Sequence, residues 1–446
     1  MNFPGHFNCL GASFVIDDVE CSSREVVAPI FIGGVNGDFC CFLDCLLRAV
    51  SLDIVKPERQ RESYGDIVFH TMPRLLCFAR FNDLNGEKVL LQSRAVIGIP
   101  VFQVVMLVAH DVAGVGGTDT FTGEYNDTIL AGLDYLLMEM GKRDMVAVLY
   151  LNNSWEWSGG YGFYLEHAGL GKQPRPDEAG YPAFMKAMSQ YADNQKAHEL
   201  FYNYVRFILG RTNRYTNIKY VDDPAIMSWQ IGNEPRAFDA EKLPAFEKWL
   251  AEASALIRSI DKNHLISVGS EGSWGCENSY ESWERICSDK NIDYCNIHLW
   301  PYNWGWAKAD SLIENLPRAK DNTKEYIDKH LAICAKLKKP LVMEEFGYPR
   351  DGFKFDLGTP TQGRDGYYKY VFSLVADNAE QGGYFAGCNF WGWGGFAKPQ
   401  HEQWQVGDDY TNDPAQEAQG LNSVFAGDTT TLAVIKEQVD RMKKVK

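Results

Sequence analysis

The stretch "KPLVMEEFGYPRDG", residues 339–352, decides how this chain is read. Leu341, Val342 and Met343 form an apolar run, Phe346 and Gly347 end it, and Glu344 and Glu345 stand between. A short apolar run bounded by Lys-Pro and by Gly reads as a strand buried on both faces. A carboxylate in such a place is costly unless something uses its charge. Successive side chains of a strand point to opposite faces. The expectation is therefore that Glu345 faces a cavity while Glu344 points away, toward a helical layer or the rim.

The same kind of run recurs along the chain. "MVAVLYL" (145–151), "AIMSWQIG" (225–232), "HLISVGS" (264–270), "DYCNIHLW" (293–300) and "YFAGCNFWGW" (384–393) read as further strands. Between them "YNDTILAGLDYLLMEMGKR" (125–143) and "PAFEKWLAEASALIRSIDKN" (244–263) carry helical periodicity, the second with Pro at its start and Lys-Asn at its end. A last helix is expected in "TTTLAVIKEQVDRMKK" (429–444), which opens on Thr residues able to cap it. Strands alternating with helices imply parallel βαβ units. The expected fold is α/β, a (β/α)8 TIM barrel forming one domain over residues 1–446. Six of its strands are countable above; the first 120 residues are expected to supply two more, with "PIFIGGVNG" (29–37) and "VFQVVMLVAHD" (101–111) as candidates.

In a parallel barrel the C-terminal strand ends build the active-site face. "IMSWQIGNEP" ends in Asn233-Glu234-Pro235, so Glu234 is expected at the mouth together with Glu345. "NIHLWPYNWGW" brings His298, Trp300, Trp304 and Trp306 to another strand end, and "NFWGWGG" brings Trp391 and Trp393. Taken singly, an Asn-Glu-Pro is an ordinary turn, a Glu-Phe-Gly an ordinary strand end, a Trp or His an ordinary core residue. Their recurrence at successive strand ends makes one site the better reading. Two carboxylates facing each other across a barrel mouth suit glycoside hydrolysis, one as acid/base and one as nucleophile. Aromatic faces suit the apolar faces of pyranose rings, and Asn233 is placed to bond a sugar hydroxyl.

Composition narrows the partners. The 446 residues carry a net charge of −15, which argues against nucleic acid or an anionic membrane, since phosphate binding rests on Lys and Arg. The 11 Cys show no CxxC spacing, so mostly free thiols are expected. No apolar run is long enough to span a bilayer, and the first residues lack the basic and apolar segments of a secretory signal. No Asp/His cluster with ligand spacing is visible, so no cofactor and no metal is expected. All 12 Trp lie at or after Trp155, whereas six of the Cys fall in the first 77 residues, which marks a compositional seam near residue 120.

"WQIGNEPR", "NIHLWPYNWGW", "KPLVMEEFGYPRDG" and "AGCNFWGWGG", with "VLYLNNSWEWSGGYGFYL" (148–165) and "GDDYTNDPAQEAQGLNSVF" (407–425), resemble the motifs of glycoside hydrolase family 5, most of all its β-mannanase branch. The resemblance covers about residues 122–446. It implies a retaining endo-β-mannanase cleaving β-1,4-mannosidic bonds in mannan-type polysaccharides, with Glu234 as acid/base and Glu345 as nucleophile. It implies that Asn233 contacts the 2-hydroxyl, that His298 lines the cleavage subsite, that Trp391 is its platform, and that Asn153 and Trp155 serve neighbouring subsites. Trp300 stands where many relatives carry a Tyr that touches the nucleophile. An exo-acting β-mannosidase, a β-glucanase, or a catalytically impaired carbohydrate-binding barrel are the alternatives. Mannan is too large to enter cells, so an extracellular or periplasmic location follows from the substrate. The family also expects an Arg on its second strand. "FQVVMLVAHDVAG" has none, so residues 37–120 read as divergent, or as a frame-shifted or mis-joined segment.

Overall fold

The computed structural model describes residues 120–444 almost continuously, apart from 126, 144, 157–159, 406, 410, 415–416 and 443. Before residue 120 it describes only the strand segments Asn8–Cys9, Ala12–Ser13, Val101–Val105 and His110–Ala113. The candidate strand at 29–37, the Cys at 21, 40, 41, 45 and 77, and most of the 37–120 segment lie outside the described residues.

The expected strands that fall on the described residues form, and they run parallel. β1 (Val101–Val105), β2 (Val146–Tyr150), β3 (Ile226–Gln230) and β4 (Leu265–Ser267) pair in chain order. β5 (Cys295–Leu299), β6 (Leu341–Phe346) and β7 (Phe385–Cys388) form a second parallel sheet, also in chain order. The two arcs are joined at their edges: the Asp293 amide donates to the Ile266 carbonyl at 2.8 Å, and the His298 amide to the Glu271 carbonyl at 3.4 Å. A short parallel pair, β8 (Trp393–Gly395) and β9 (Val424–Phe425), follows β7.

Helices fill the connections: α1 (Asp127–Gly141), α2 (Gln195–Leu209), α3 (Leu243–Ile260), α4 (Tyr280–Cys287), α5 (Leu316–Leu337), α6 (Gln362–Glu380) and the C-terminal α7 (Thr429–Met442). Their starts follow local chemistry. Asn194 caps α2 by accepting from the Ala197 amide at 3.0 Å, and Pro244 occupies the first turn of α3, where no amide is needed.

Strand alternation sorts the apolar side chains into two layers. Ala147, Leu149, Trp229, Ile266, Ile297, Met343 and Phe346 belong to the large core against the helices. Val148, Met227, Leu265, Tyr294, Val342 and Ala386 form a separate small cluster. Six side chains from or beside six successive strands can meet only where the sheet curls around them. Burial of this apolar area is the main force holding the layers together.

The loop after β6 is anchored by two fully buried arginines. Arg364 donates to the carbonyls of Tyr348 (3.0 Å) and Ser423 (2.9 Å), and Arg350 to the carbonyl of Gly420 (2.9 Å) and to Asp428. Charged donors on carbonyls hold a loop that apolar packing alone would leave free. Cys276, Cys287, Cys295, Cys334 and Cys388 are buried and form no disulfide among the described residues.

Candidate active site

β6 breaks the alternation rule. Met343 pairs with Ile297, but the next pair is Glu345 with His298, so the register slips at Glu344. Met343 and Phe346, three residues apart, both pack into the helical layer. Strict alternation would put them on opposite faces. The slip is a β-bulge, which re-aims side chains next to functional sites. Its effect is that Glu344 and Glu345 both enter the interior. The expectation that Glu344 points outward is corrected: it is 1% exposed and accepts a hydrogen bond from Gln230 of β3, whose amide nitrogen also donates to Ser267 at 2.8 Å.

Glu234 sits just past β3, with φ of 46°. A non-glycine residue in the left-handed region is strained, and such strain gathers at functional sites. Two bonds hold it: its amide donates to the Gly269 carbonyl at 2.9 Å, and its carbonyl accepts from the Ser154 hydroxyl. The side chain is thereby aimed across the strand ends. Trp155 Nε1 donates to Glu234 Oε2 at 2.6 Å. His298 Nδ1 lies 2.9 Å from Glu234 Oε1 and 3.3 Å from Glu345 Oε2. Ligand-type atoms of Glu234, His298 and Glu345 all lie within 4.8 Å of one another. One imidazole nitrogen thus faces both carboxylates.

Charges in this pocket are set by burial against that imidazole. Burial works against the charge of Glu234, but His298, then Arg236 and the Trp155 hydrogen bond outweigh it and hold the carboxyl below its ordinary range. Burial pushes Glu345 up to about 8, the Glu234 charge adding to it and His298 and the Trp300 hydrogen bond opposing. Burial also disfavours a charge on His298, yet Glu345 and Glu234 prevail and raise it to about 9. These surroundings thus favour the proton on Glu345 and the charge on Glu234.

The other expected residues arrange themselves around this centre. Asn233 Nδ2 donates to Asn153 Oδ1 at 3.3 Å, and the same oxygen accepts from the Trp155 amide at 3.1 Å. Asn153 is 1% exposed, so the structure places it behind Asn233 as a support. Asn233 Oδ1, His298 Nε2 and Glu345 Oε1 are buried without a protein partner, three polar atoms gathered at one site. Trp300 reaches Glu345 and meets Trp391 edge-on with ring centres 5.7 Å apart. Both tryptophans are only partly buried. Trp304 instead stacks on Trp274 at 4.8 Å and Trp306 packs edge-on to Trp304, a cluster beside Tyr326.

Two residues escaped the sequence reading. Glu271, just past β4, forms a bidentate pair with Arg236, the Nη2–Oε1 arm being 2.6 Å. Arg236 in turn lies 5.1 Å over the Trp155 ring. The signal was available in part, since Glu271 is another polar residue at a strand end and Arg236 follows Asn-Glu-Pro. Their pairing is a three-dimensional fact.

A family model described as GH family 5 beta-mannosidase-like matches residues 112–446. The chain is 28% identical over 351 residues to mannan endo-1,4-beta-mannosidase 1 of Arabidopsis thaliana, covering 73% of each protein. It is 30% identical over 285 residues to mannan endo-1,4-beta-mannosidase 4 of Solanum lycopersicum, covering 60% of this chain and 65% of that one. Among solved structures, a mutant glycoside hydrolase family 5 mannosidase from Rhizomucor miehei in complex with mannosyl-fructose is 30% identical. It superposes with a TM-score of 0.69 over 80% of this chain and 87% of that one.

Proposed function

We propose, from the premise that this chain belongs to glycoside hydrolase family 5 as a β-mannosidase-like member, that it is a retaining endo-β-mannanase built on a closed (β/α)8 barrel. The observation that carries the chemistry is the pair Glu234 and Glu345 converging on one nitrogen of His298 with oxygens inside 4.8 Å. Carboxyl groups about 5–5.5 Å apart leave no room for a water between them and favour a covalent intermediate. The small interior cluster drawn from six strands supports closure of the barrel.

In this reading Glu345 attacks the anomeric carbon while Glu234 protonates the departing glycosidic oxygen. Glu234 then takes a proton from water, which releases the sugar from Glu345. The roles require the proton on Glu234, whereas burial and the neighbouring groups favour it on Glu345. A bound sugar reverses the preference: its electron-poor anomeric carbon favours an ionised Glu345, and its glycosidic oxygen accepts a hydrogen bond from a protonated Glu234. His298 Nδ1, in reach of both, is the route between them. Asn233, its Oδ1 unpartnered, is placed for the 2-hydroxyl, and Trp391 for the sugar face.

Mannan-type polysaccharide as substrate rests on the curated mannan endo-1,4-beta-mannosidases. An exo-acting β-mannosidase is the alternative, since one of the solved structures it resembles is a mannosidase. Product analysis separates the two: an endo enzyme releases a ladder of oligosaccharides from linear mannan, an exo enzyme only mannose. Reducing-sugar release from mannan is the decisive assay, and cleavage of a β-glucan with none of mannan would overturn the substrate. No helix among the described residues is long and apolar enough to cross a membrane. An extracellular or periplasmic site of action is proposed from the size of the substrate.

A further inference from the structure

Glu344 is a buried carboxyl that the proposed mechanism does not use. It lies inside the sheet beneath Glu345, with Gln230 of β3 donating to its Oε1. The Gln230 amide nitrogen is also 3.4 Å from the Tyr294 hydroxyl, which bonds Ser228 at 3.1 Å. Glu344 Oε2 and Gln230 Oε1, both acceptors, are left without partners. A core position filled for packing alone has no use for an acid with an orphaned oxygen, because an unsatisfied buried acceptor costs about 1–3 kcal/mol.

We propose that Glu344 is a positioning residue of the site: bonded to Gln230, it fixes the bulge that turns Glu345 into the pocket, and it sets the charge of His298 from the interior side. This rests on the reading of Glu234 and Glu345 as the reacting pair. Two observations converge on it. The bulge falls at Glu344 itself, so the Gln230 bond ties the displaced residue to the facing strand. Glu344 is also one of three carboxylates whose charge favours the His298 imidazolium, with Glu345 and Glu234. The groups facing this centre are Tyr150 from β2, Glu234 and Arg236 past β3, Glu271 past β4, Tyr294 ahead of β5, and Glu345 on β6. Burial pushes Glu344 up to about 7, against the pull of His298, the bond from Gln230 and the nearby polar groups of Tyr294 and Asn296.

The test is Glu344→Gln in the full chain, which keeps shape and hydrogen bonding and removes the charge. The expected result is a fall of about one pH unit in the His298 titration followed by NMR of the imidazole. The alkaline limb of kcat should move the same way, with kcat reduced about tenfold and KM little changed. Gln230→Met, which removes the donor but keeps the volume, should shift His298 in the same direction and serves if Glu344→Gln folds poorly. An unmoved His298 titration in the folded variants overturns the proposal. The imidazole titration needs no substrate, so a wild-type chain inactive on mannan would sink the substrate reading and leave this one to be judged on its own.

Discussion

Trp155 Nε1 donates to Glu234 Oε2 at 2.6 Å, and the ring carrying that donor is itself held, stacked over Phe184 at 6.1 Å with the Arg236 guanidinium above it. A tryptophan expected in a sugar subsite thus bonds the proposed acid/base directly. A hydrogen bond to a charged group contributes about 1.5–3 kcal/mol. Trp155→Phe is therefore expected to lower kcat/KM on manno-oligosaccharides about 10- to 100-fold. The donor favours the ionised carboxylate, so its loss raises Glu234 and moves the acid limb of kcat/KM to higher pH. A pH profile that falls uniformly, with its acid limb unmoved, would assign Trp155 to binding alone.

Glu345 and Glu234 are predicted to fail differently. Glu345→Ala removes the proposed nucleophile and should cut turnover by about 10⁴-fold or more while leaving oligosaccharide binding by calorimetry largely intact. Glu234→Ala should lower mannan hydrolysis about 10²- to 10⁴-fold yet spare formation of the glycosyl-enzyme from an aryl mannoside with a good leaving group. Equal losses on both substrates in the Glu234 variant would show that the acid role is misassigned.

The raised Glu345 makes a statement about stability. Its folded value, about 8, lies above the ordinary carboxylate value of 4.5, so the folded state holds the proton more tightly than the unfolded chain. The stabilising proton is fully present below about pH 4.5 and is lost as pH rises through 8. Glu345→Gln, which never ionises, should raise the unfolding midpoint by several degrees at pH 8 and leave it unchanged at pH 4. A scanning calorimetry series across that window checks it; a larger gain at pH 4 would reverse the sign of the argument.

The part of this site that the sequence makes legible is the part set by strand ends. Glu234, His298 and Glu345 follow apolar runs, and parallel strands deliver their C-terminal ends to one face. Side-chain direction is less legible, because period-two reasoning assumes an unbroken ladder. The bulge at Glu344 inserts one extra residue, and the parity argument then fails for the residue it was applied to. Partners that depend on three separate segments, such as Glu271 with Arg236 and Trp155, leave no pattern in the chain. Trp304 and Trp306 show the reverse error: their strand-end spacing suggested the cleft, and stacking on Trp274 and against Tyr326 took them into a cluster of their own. Of the two strands expected before residue 120, one appears as β1 beside β2, and the other lies outside the described residues.

Gly347 supplies the last prediction, because it makes room for the ring that contacts Glu345. A Cβ built there would lie 2.4 Å from one carbon of the Trp300 indole and 3.0 Å from another. Trp300 has little freedom to retreat, with Trp391 edge-on at 5.7 Å on one side and Glu345 accepting its hydrogen bond on the other. Gly347→Ala should therefore cost about 1–3 kcal/mol of stability by overpacking. It should also lower turnover about tenfold by turning the indole away from Glu345, a loss of one hydrogen bond to a charged group. Adding Trp300→Ala to Gly347→Ala relieves the clash and should restore part of the stability without restoring turnover. If the single variant melts and turns over like the wild type, the Trp300–Glu345 contact does not depend on this glycine. If the double variant recovers activity, the indole itself is dispensable to Glu345.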